Sequence, residues 1–166
     1  MLKKFLILCL VASMLMAITS CGATNFGSTA SSEATKNDES LQKFYDKLSK
    51  SQELLDTVAD DIYSYWYDCI YKDKYLDDIN YAIASALSDN KENIDEIKAL
   101  DTEISELFKE VKDGEHSSLV KETMSAYSDY YEFVINVSGS FESYKTNKET
   151  LKKELASLLR DLSYEL

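Results

Sequence analysis

Apolar residues return every seven positions through the first half of the chain. Leu41, Leu48, Leu55, Ile62, Cys69, Leu76 and Ile83 form one series, and Phe44, Val58, Tyr65, Ile79 and Ala86 stand three residues after members of it. That spacing puts both series on one face of an α-helix. The chain has no proline, and no glycine lies between Gly27 and Gly114, so nothing in that interval forces a helix to stop. One long helix over about residues 39–88 is therefore expected. Ser51 and Lys72 interrupt the companion series and "YKDKYLDD" dilutes the stripe, which marks residues 72–75 as the place for a kink.

"SDNKEN" at 88–93 offers Asp89 as a cap with Glu92 three residues on, the start of a second helix. Its apolar face is Ile94, Ile97, Ile104, Leu107, Phe108 and Val111, and "KDGEHSS" around Gly114 ends it. A third helix, starting near Ser117 or Ser118, carries Val120, Met124, Tyr127, Tyr131 and Val134 inward. "VSGS" at 137–140 interrupts it, because Gly139 accepts a left-handed backbone and Ser140 can cap a fourth helix. In that helix Tyr144, Leu151, Leu155, Leu158, Leu162 and Leu166 recur at helical spacing.

The pattern predicts an all-α fold over residues 39–166, an antiparallel bundle of about four helices whose first is unusually long. A first helix of about fifty residues would measure about 75 Å, against about 30 Å for the second and third. Leu41, Phe44 and Leu48 then outrun their neighbours. They are expected to pack on the fourth helix, to fold back at a kink, or to serve self-association with another chain.

The first twenty residues have a different character. Lys3 and Lys4 precede the apolar run "FLILCLVASMLM", and small residues lead to Cys21, the arrangement of an export signal too short for an ordinary membrane span. "ITSC" followed by Gly22 resembles the lipobox of bacterial lipoproteins. The resemblance implies that residues 1–20 are a cleaved signal peptide, that Cys21 is the lipidated first residue of the mature chain, and that acyl chains hold the protein to a membrane. An ordinary secretory signal with a coincidental cysteine is the alternative. Residues 21–38, rich in Ser, Thr, Ala and Gly, read as a flexible tether with an end-to-end distance of roughly 20–25 Å.

Processing would remove Cys9, and lipidation would block Cys21, so Cys69 has no partner for a disulfide and is expected to be a small core residue. Loss of Lys3 and Lys4 leaves 30 acidic against 16 basic residues, a formal −14. Such a surface repels nucleic acid and anionic headgroups, so no nucleic-acid partner is expected and attachment to a membrane falls to the anchor.

The densest chemistry is aromatic. "DDIYSYWYDCIYKDKYLDDINY" holds six tyrosines and the single tryptophan, and Tyr63, Tyr67, Tyr71 and Tyr75 form a ladder of spacing four beside Ile62, Trp66 and Ile70. Tyr127, Tyr130, Tyr131 and Tyr144 add to it from later helices. Rings with polar tips suit a half-wet contact surface, and Trp66, Tyr67, Tyr71, Tyr127 and Tyr131 are the expected partner-binding residues. The competing reading is that these rings fill the bundle interior.

Catalytic motifs are lacking. His116 is the only histidine and paired Glu-x-x-His motifs are absent, so neither metal nor cofactor is expected. Asp60–Asp61 and Asp77–Asp78 lack a calcium-loop pattern and read as exposed charge. No phosphate loop, serine elbow or nucleophile–base pair occurs, which argues against an enzyme.

Tyr63-x-x-Trp66 in the first helix, and Ser138-Gly139-Ser140 with Phe141 and Tyr144 before the last, resemble small helical lipoproteins of Gram-positive, Firmicute-type bacteria. No established activity comes with that resemblance. In outline, without a shared diagnostic motif, the chain is similar to prophage-encoded surface lipoproteins that block superinfecting DNA entry. The resulting expectation is a non-catalytic binding module on the extracytoplasmic face of a cell membrane, with a structural self-associating module as the alternative. An envelope or extracellular protein is the expected partner.

Overall fold

A computed structural model describes the backbone from Thr29 to Leu166 and the side chains from Asp38 onward. Within it the chain is an all-α bundle: α1 Thr29–Tyr71, α2 Ile79–Asp89, α3 Lys91–Val111, α4 Ser117–Ile135 and α5 Phe141–Ser163. Residues 1–20, expected to be a signal peptide, and Cys21 lie outside the described residues. α1 begins ten residues before the expected start, within the stretch read as tether.

The long first helix is divided. It ends at Tyr71, a short 3-10 turn occupies Tyr75–Asp77, and α2 starts at Ile79, so the kink expected at 72–75 is a complete chain reversal. Asp78 caps α2, accepting from the backbone N–H of Asn80 at 2.9 Å and of Tyr81 at 3.2 Å. α2 and α3 form one bent arm running back along α1. Tyr65 meets Asp89, Asp61 meets Asn90, Phe44 meets Phe108 and Ser40 meets Glu110.

The bend sits at Asn90 rather than at a capping box on Asp89. The Asn90 amide donates to Asp61 and to the Ala86 carbonyl, leaving α3 without a side-chain cap, while Asp89 is taken by the Tyr65 hydroxyl. α4 then runs parallel to α1, with Tyr127 beside Ser51 and Tyr130 beside Asp56. α5 returns antiparallel to it, with Phe141 on Tyr63 and Lys152 on Asp56. Gly139 takes φ +91° and Ser140 caps α5 in a reciprocal box with Ser143, as "VSGS" predicts. A Cβ at Gly139 would stand 2.8 Å from the Ser143 hydroxyl.

The seven-residue seam holds from Leu41 to Cys69. Leu41, Phe44, Leu48, Leu55, Val58, Ile62 and Cys69 are buried, and Ser51, which breaks the pattern, is buried too because its hydroxyl meets Tyr127. Of the three fates expected for Leu41, Phe44 and Leu48, the fold-back is the one observed: α3 reaches the Ser40–Phe44 stretch of α1, and these three are core residues within one chain and not a self-association stripe. Each fully buried side chain of this size is worth about 1.5–3 kcal/mol against exposure, so none is available to a partner while the bundle stays closed.

Candidate partner-binding site

The bundle has two unlike ends. At the base the Ser40–Leu41 stretch of α1, the end of α3, the start of α4 and the end of α5 meet, and His116 Nδ1 lies 3.2 Å from Glu165. The other end, the tip, gathers the last turns of α1, the 72–78 turn, the start of α2 and the start of α5. About thirty residues of helix separate Leu41 from Tyr71, about 45 Å.

Helical spacing builds the tip from the α1 side. Tyr63, Tyr67 and Tyr71 form the expected ladder, with ring centres 6.2 and 4.7 Å apart in turn. Phe141, the first residue of α5, docks against it, stacked on Tyr63 at 5.1 Å, edge-on to Trp66 at 5.9 Å and within 6.1 Å of Tyr71. Cations attend the ladder: the Lys148 ammonium stands 4.7 Å over Tyr63 while pairing with Asp60, and Lys72 stands 5.5 Å over Tyr67.

The ladder stops at Tyr71 because the helix stops. Lys72 and Lys74 both reach Asp68 at 2.7 Å, clamping the turn, and their hydrogen bonds hold the Asp68 carboxyl below the usual carboxylate range. Tyr75 leaves the ladder and stacks instead on Tyr65 at 5.1 Å. The Tyr65 hydroxyl donates to Asp89 at 2.6 Å, a bond that pushes its pKa up to about 12.

Between these holds the backbone is left-handed without a glycine. Asp73, Tyr75, Leu76 and Asp77 have φ between 51° and 59°. Aspartate tolerates that region, whereas leucine and tyrosine are strained there. Leu76, placed in the buried seam by its spacing, is 90% exposed. Ile70, Ile79 and Tyr81 are exposed beside it in the chain.

The residues expected to bind a partner divide. Tyr67 and Tyr71 are at the surface, 38% and 57% exposed. Trp66 is core at 4%, packed between Phe141 and Tyr144, with an indole N–H that has no acceptor among the described residues. Tyr127 is completely buried and its hydroxyl lies 3.3 Å from Ser51, and Tyr131 is half-buried next to it. Tyr127 and Tyr131 pack lower along α4, away from Tyr67 and Tyr71, so Trp66, Tyr127 and Tyr131 are removed from the contact set. Spacing missed Ile70, Leu76, Ile79, Tyr81 and the docking of Phe141. The only signal for them is the charge-rich "YKDKYLDD" that breaks the helix.

Beneath the tip, α5 is fastened to α1 by charge. Lys148 pairs with Asp60, Lys152 lies 3.1 Å from Asp56, and the Tyr130 hydroxyl donates to Asp56 at 2.7 Å. Asp60 is thus an ion-pair partner and Asp78 a helix cap, more than the exposed charge their sequence suggests. Cys69 is buried, and burial pushes its thiol up. Among the described residues, no three His, Cys, Asp or Glu side chains gather to hold a metal ion, and no helix is long and apolar enough to cross a membrane. Comparison with known protein families, curated proteins and solved structures finds no match to this chain.

Proposed function

We propose that the chain is a non-catalytic binding module of the bacterial envelope, anchored to a membrane through a lipid on Cys21 and meeting its partner with the tip of the bundle. One observation carries the reading. Six of the eight exposed large hydrophobic side chains among the described residues, Tyr67, Ile70, Tyr71, Leu76, Ile79 and Tyr81, belong to the tip, and Tyr164 and Leu166 belong to the chain end. Scattered exposed apolar residues need no explanation, but a concentration at one end is the mark of a contact surface. An anchor at the amino-terminal end supports the same reading, because it would put the base toward the membrane and carry the tip about 45 Å beyond Leu41.

The test uses the full-length protein in a bacterium that processes lipoproteins, with a photo-crosslinking phenylalanine at position 71 or, as control, at Lys109 on the exposed flank of α3. The reading expects an acylated, membrane-fractionating protein that Cys21→Ala releases. It also expects a discrete crosslinked adduct from position 71 and none from position 109. Unmodified released protein, or equal or absent adducts at the two positions, would overturn it.

A further inference from the structure

We infer that two copies of the chain exchange α1. In the exchanged dimer the 72–78 turn is straight, α1 and α2 are one continuous helix, and the α1 of each copy packs on α2 to α5 of the other. The inference stands apart from the binding-module reading, because its occupant is a second copy of this chain.

The fold's own interface identifies that occupant. α1 packs on α2, α3, α4 and α5, and its Leu55, Val58 and Ile62 are completely buried. Lifted from that cover, α1 presents an apolar face whose complement every other copy carries: Phe108 for Phe44, Asp89 for Tyr65, Lys152 for Asp56. Exchange keeps these contacts and alters only the turn, which makes it a low-cost route to a dimer.

The sequence suits the straight form. No glycine or proline stands between Gly27 and Gly114, and the seven-residue series runs through the turn as Ile62, Cys69, Leu76 and Ile83, with Ile79 and Ala86 on companion positions. Ile83 and Ala86 already pack into the core, whereas Leu76 and Ile79 are 90% and 40% exposed. A continuous helix returns both to the seam. The pairing is also nearly symmetric about Leu76. Phe44 and Phe108 stand thirty-two residues to either side of it, Asp61 and Asn90 fifteen and fourteen, Tyr65 and Asp89 eleven and thirteen. In a straight helix the same antiparallel register brings Leu76 against Leu76 of the second copy, so the side chain left in solvent by the closed chain is buried at the two-fold axis.

The turn sets the balance between the two forms. Asp73, Tyr75, Leu76 and Asp77 are left-handed without a glycine, and a short hinge under strain invites exchange. Three holds exist only while the chain is bent: Lys74 on Asp68 six residues away, Tyr75 on Tyr65 ten away, and the Asp78 cap of α2. Lys72 on Asp68, four residues apart, fits either form.

The experiment unfolds the full acylated chain and refolds it in neutral detergent micelles over a range of concentrations, as an equal mixture of unlabelled and heavy-nitrogen-labelled copies. Sedimentation separates monomer from dimer. A carbodiimide then joins Lys47 to Glu103, the ion pair between α1 and α3, and the joined peptides are weighed after proteolysis. The proposal expects a dimer that grows with concentration and whose joined peptides combine light and heavy chains in the statistical proportion, while those of the monomer are unmixed. Leu76→Gly suits the left-handed turn and weakens a helix, so it is expected to lower the dimer association constant about tenfold or more. Asp73→Ala with Asp77→Ala strains the turn and favours the helix, and is expected to raise it by about as much. Circular dichroism of each variant establishes that it is folded. A dimer with unmixed joints, a monomer at every concentration in the wild type and the alanine variant alike, or dimerisation indifferent to both substitutions would overturn the proposal.

Discussion

The ring of Tyr75 stacks on that of Tyr65, centres 5.1 Å apart, and this contact secures a left-handed turn in which the next residue, Leu76, is almost wholly in solvent. A side chain that buries nothing and strains its backbone should be dispensable to the fold. Left-handed backbone costs a leucine about 1–2 kcal/mol, and the extra unfolded-state freedom of glycine returns about 0.5–1 kcal/mol of that. Leu76→Gly is accordingly expected to raise stability by up to about 1.5 kcal/mol, read from the midpoint of denaturant unfolding. Destabilisation would mean that Leu76 packs on something in solution.

The tyrosines expected from the sequence to share one contact surface should behave as two populations. Tyr71→Ala, at the surface, is expected to change stability by about 0.5 kcal/mol or less, and Tyr67→Ala by about 1 kcal/mol. Tyr127→Ala removes a fully buried ring and is expected to cost about 3–5 kcal/mol. Thermal unfolding of the three variants checks the order. A large loss at Tyr71 would make the ladder structural rather than a contact surface.

Alkaline titration should show the same division. Burial, above all, raises the hydroxyls of Tyr127, Tyr130 and Tyr144 well above the ordinary tyrosine range, with Asp56 hydrogen-bonded to Tyr130 adding to it. Because the folded pKa lies above the unfolded one, the protonated rings contribute stability that is full below about pH 10 and is lost as pH rises toward the folded values. The three buried rings should ionise in a late step of an absorbance titration, one that coincides with loss of helical circular dichroism. Ionisation of all twelve tyrosines before any loss of helix would contradict this.

Asp101 gives a second pH dependence, at the acid end. Burial raises its carboxyl, the neighbouring Tyr127 hydroxyl partly offsets that, and Glu132 adds to it. The stabilising effect of the protonated form is full below the unfolded value and lost as pH rises through the folded one, so at neutral pH the ionised group opposes folding. Asp101→Asn is expected to melt higher than the wild type at pH 7, with the difference vanishing as pH falls below about 4. A difference independent of pH would place the effect elsewhere.

Much of this architecture is legible in the spacing of apolar residues, and the exceptions have physical causes. Leu41 to Cys69 keep one face because the helix is continuous there, and Gly139–Ser140 announces its turn because a left-handed glycine and a serine cap act locally. Leu76 lies seven residues after Cys69 and still points to solvent. The helix has by then been stopped by Lys72 and Lys74 closing on Asp68, a through-space clamp with no glycine to signal it. The cap at Asp78 is a consequence of that stop. The separation of Tyr67 and Tyr71 from Trp66 and Tyr127 depends on the phase of α1 against α5, and on Phe141 arriving from a distant part of the chain. The reach of α3 back to Phe44 depends on the bend at Asn90, whose amide is satisfied by Asp61 from another helix. Local pattern carries no record of such contacts.

If the tip meets a partner, the exposed Leu76 side chain on its turn should contribute to the contact. The most direct measurement is the yield of the position-71 crosslink in cells, compared between the wild type and Leu76→Gly at equal abundance and equal membrane attachment. A folded variant whose adduct is lost is the predicted result. An undiminished adduct in the glycine variant would contradict it.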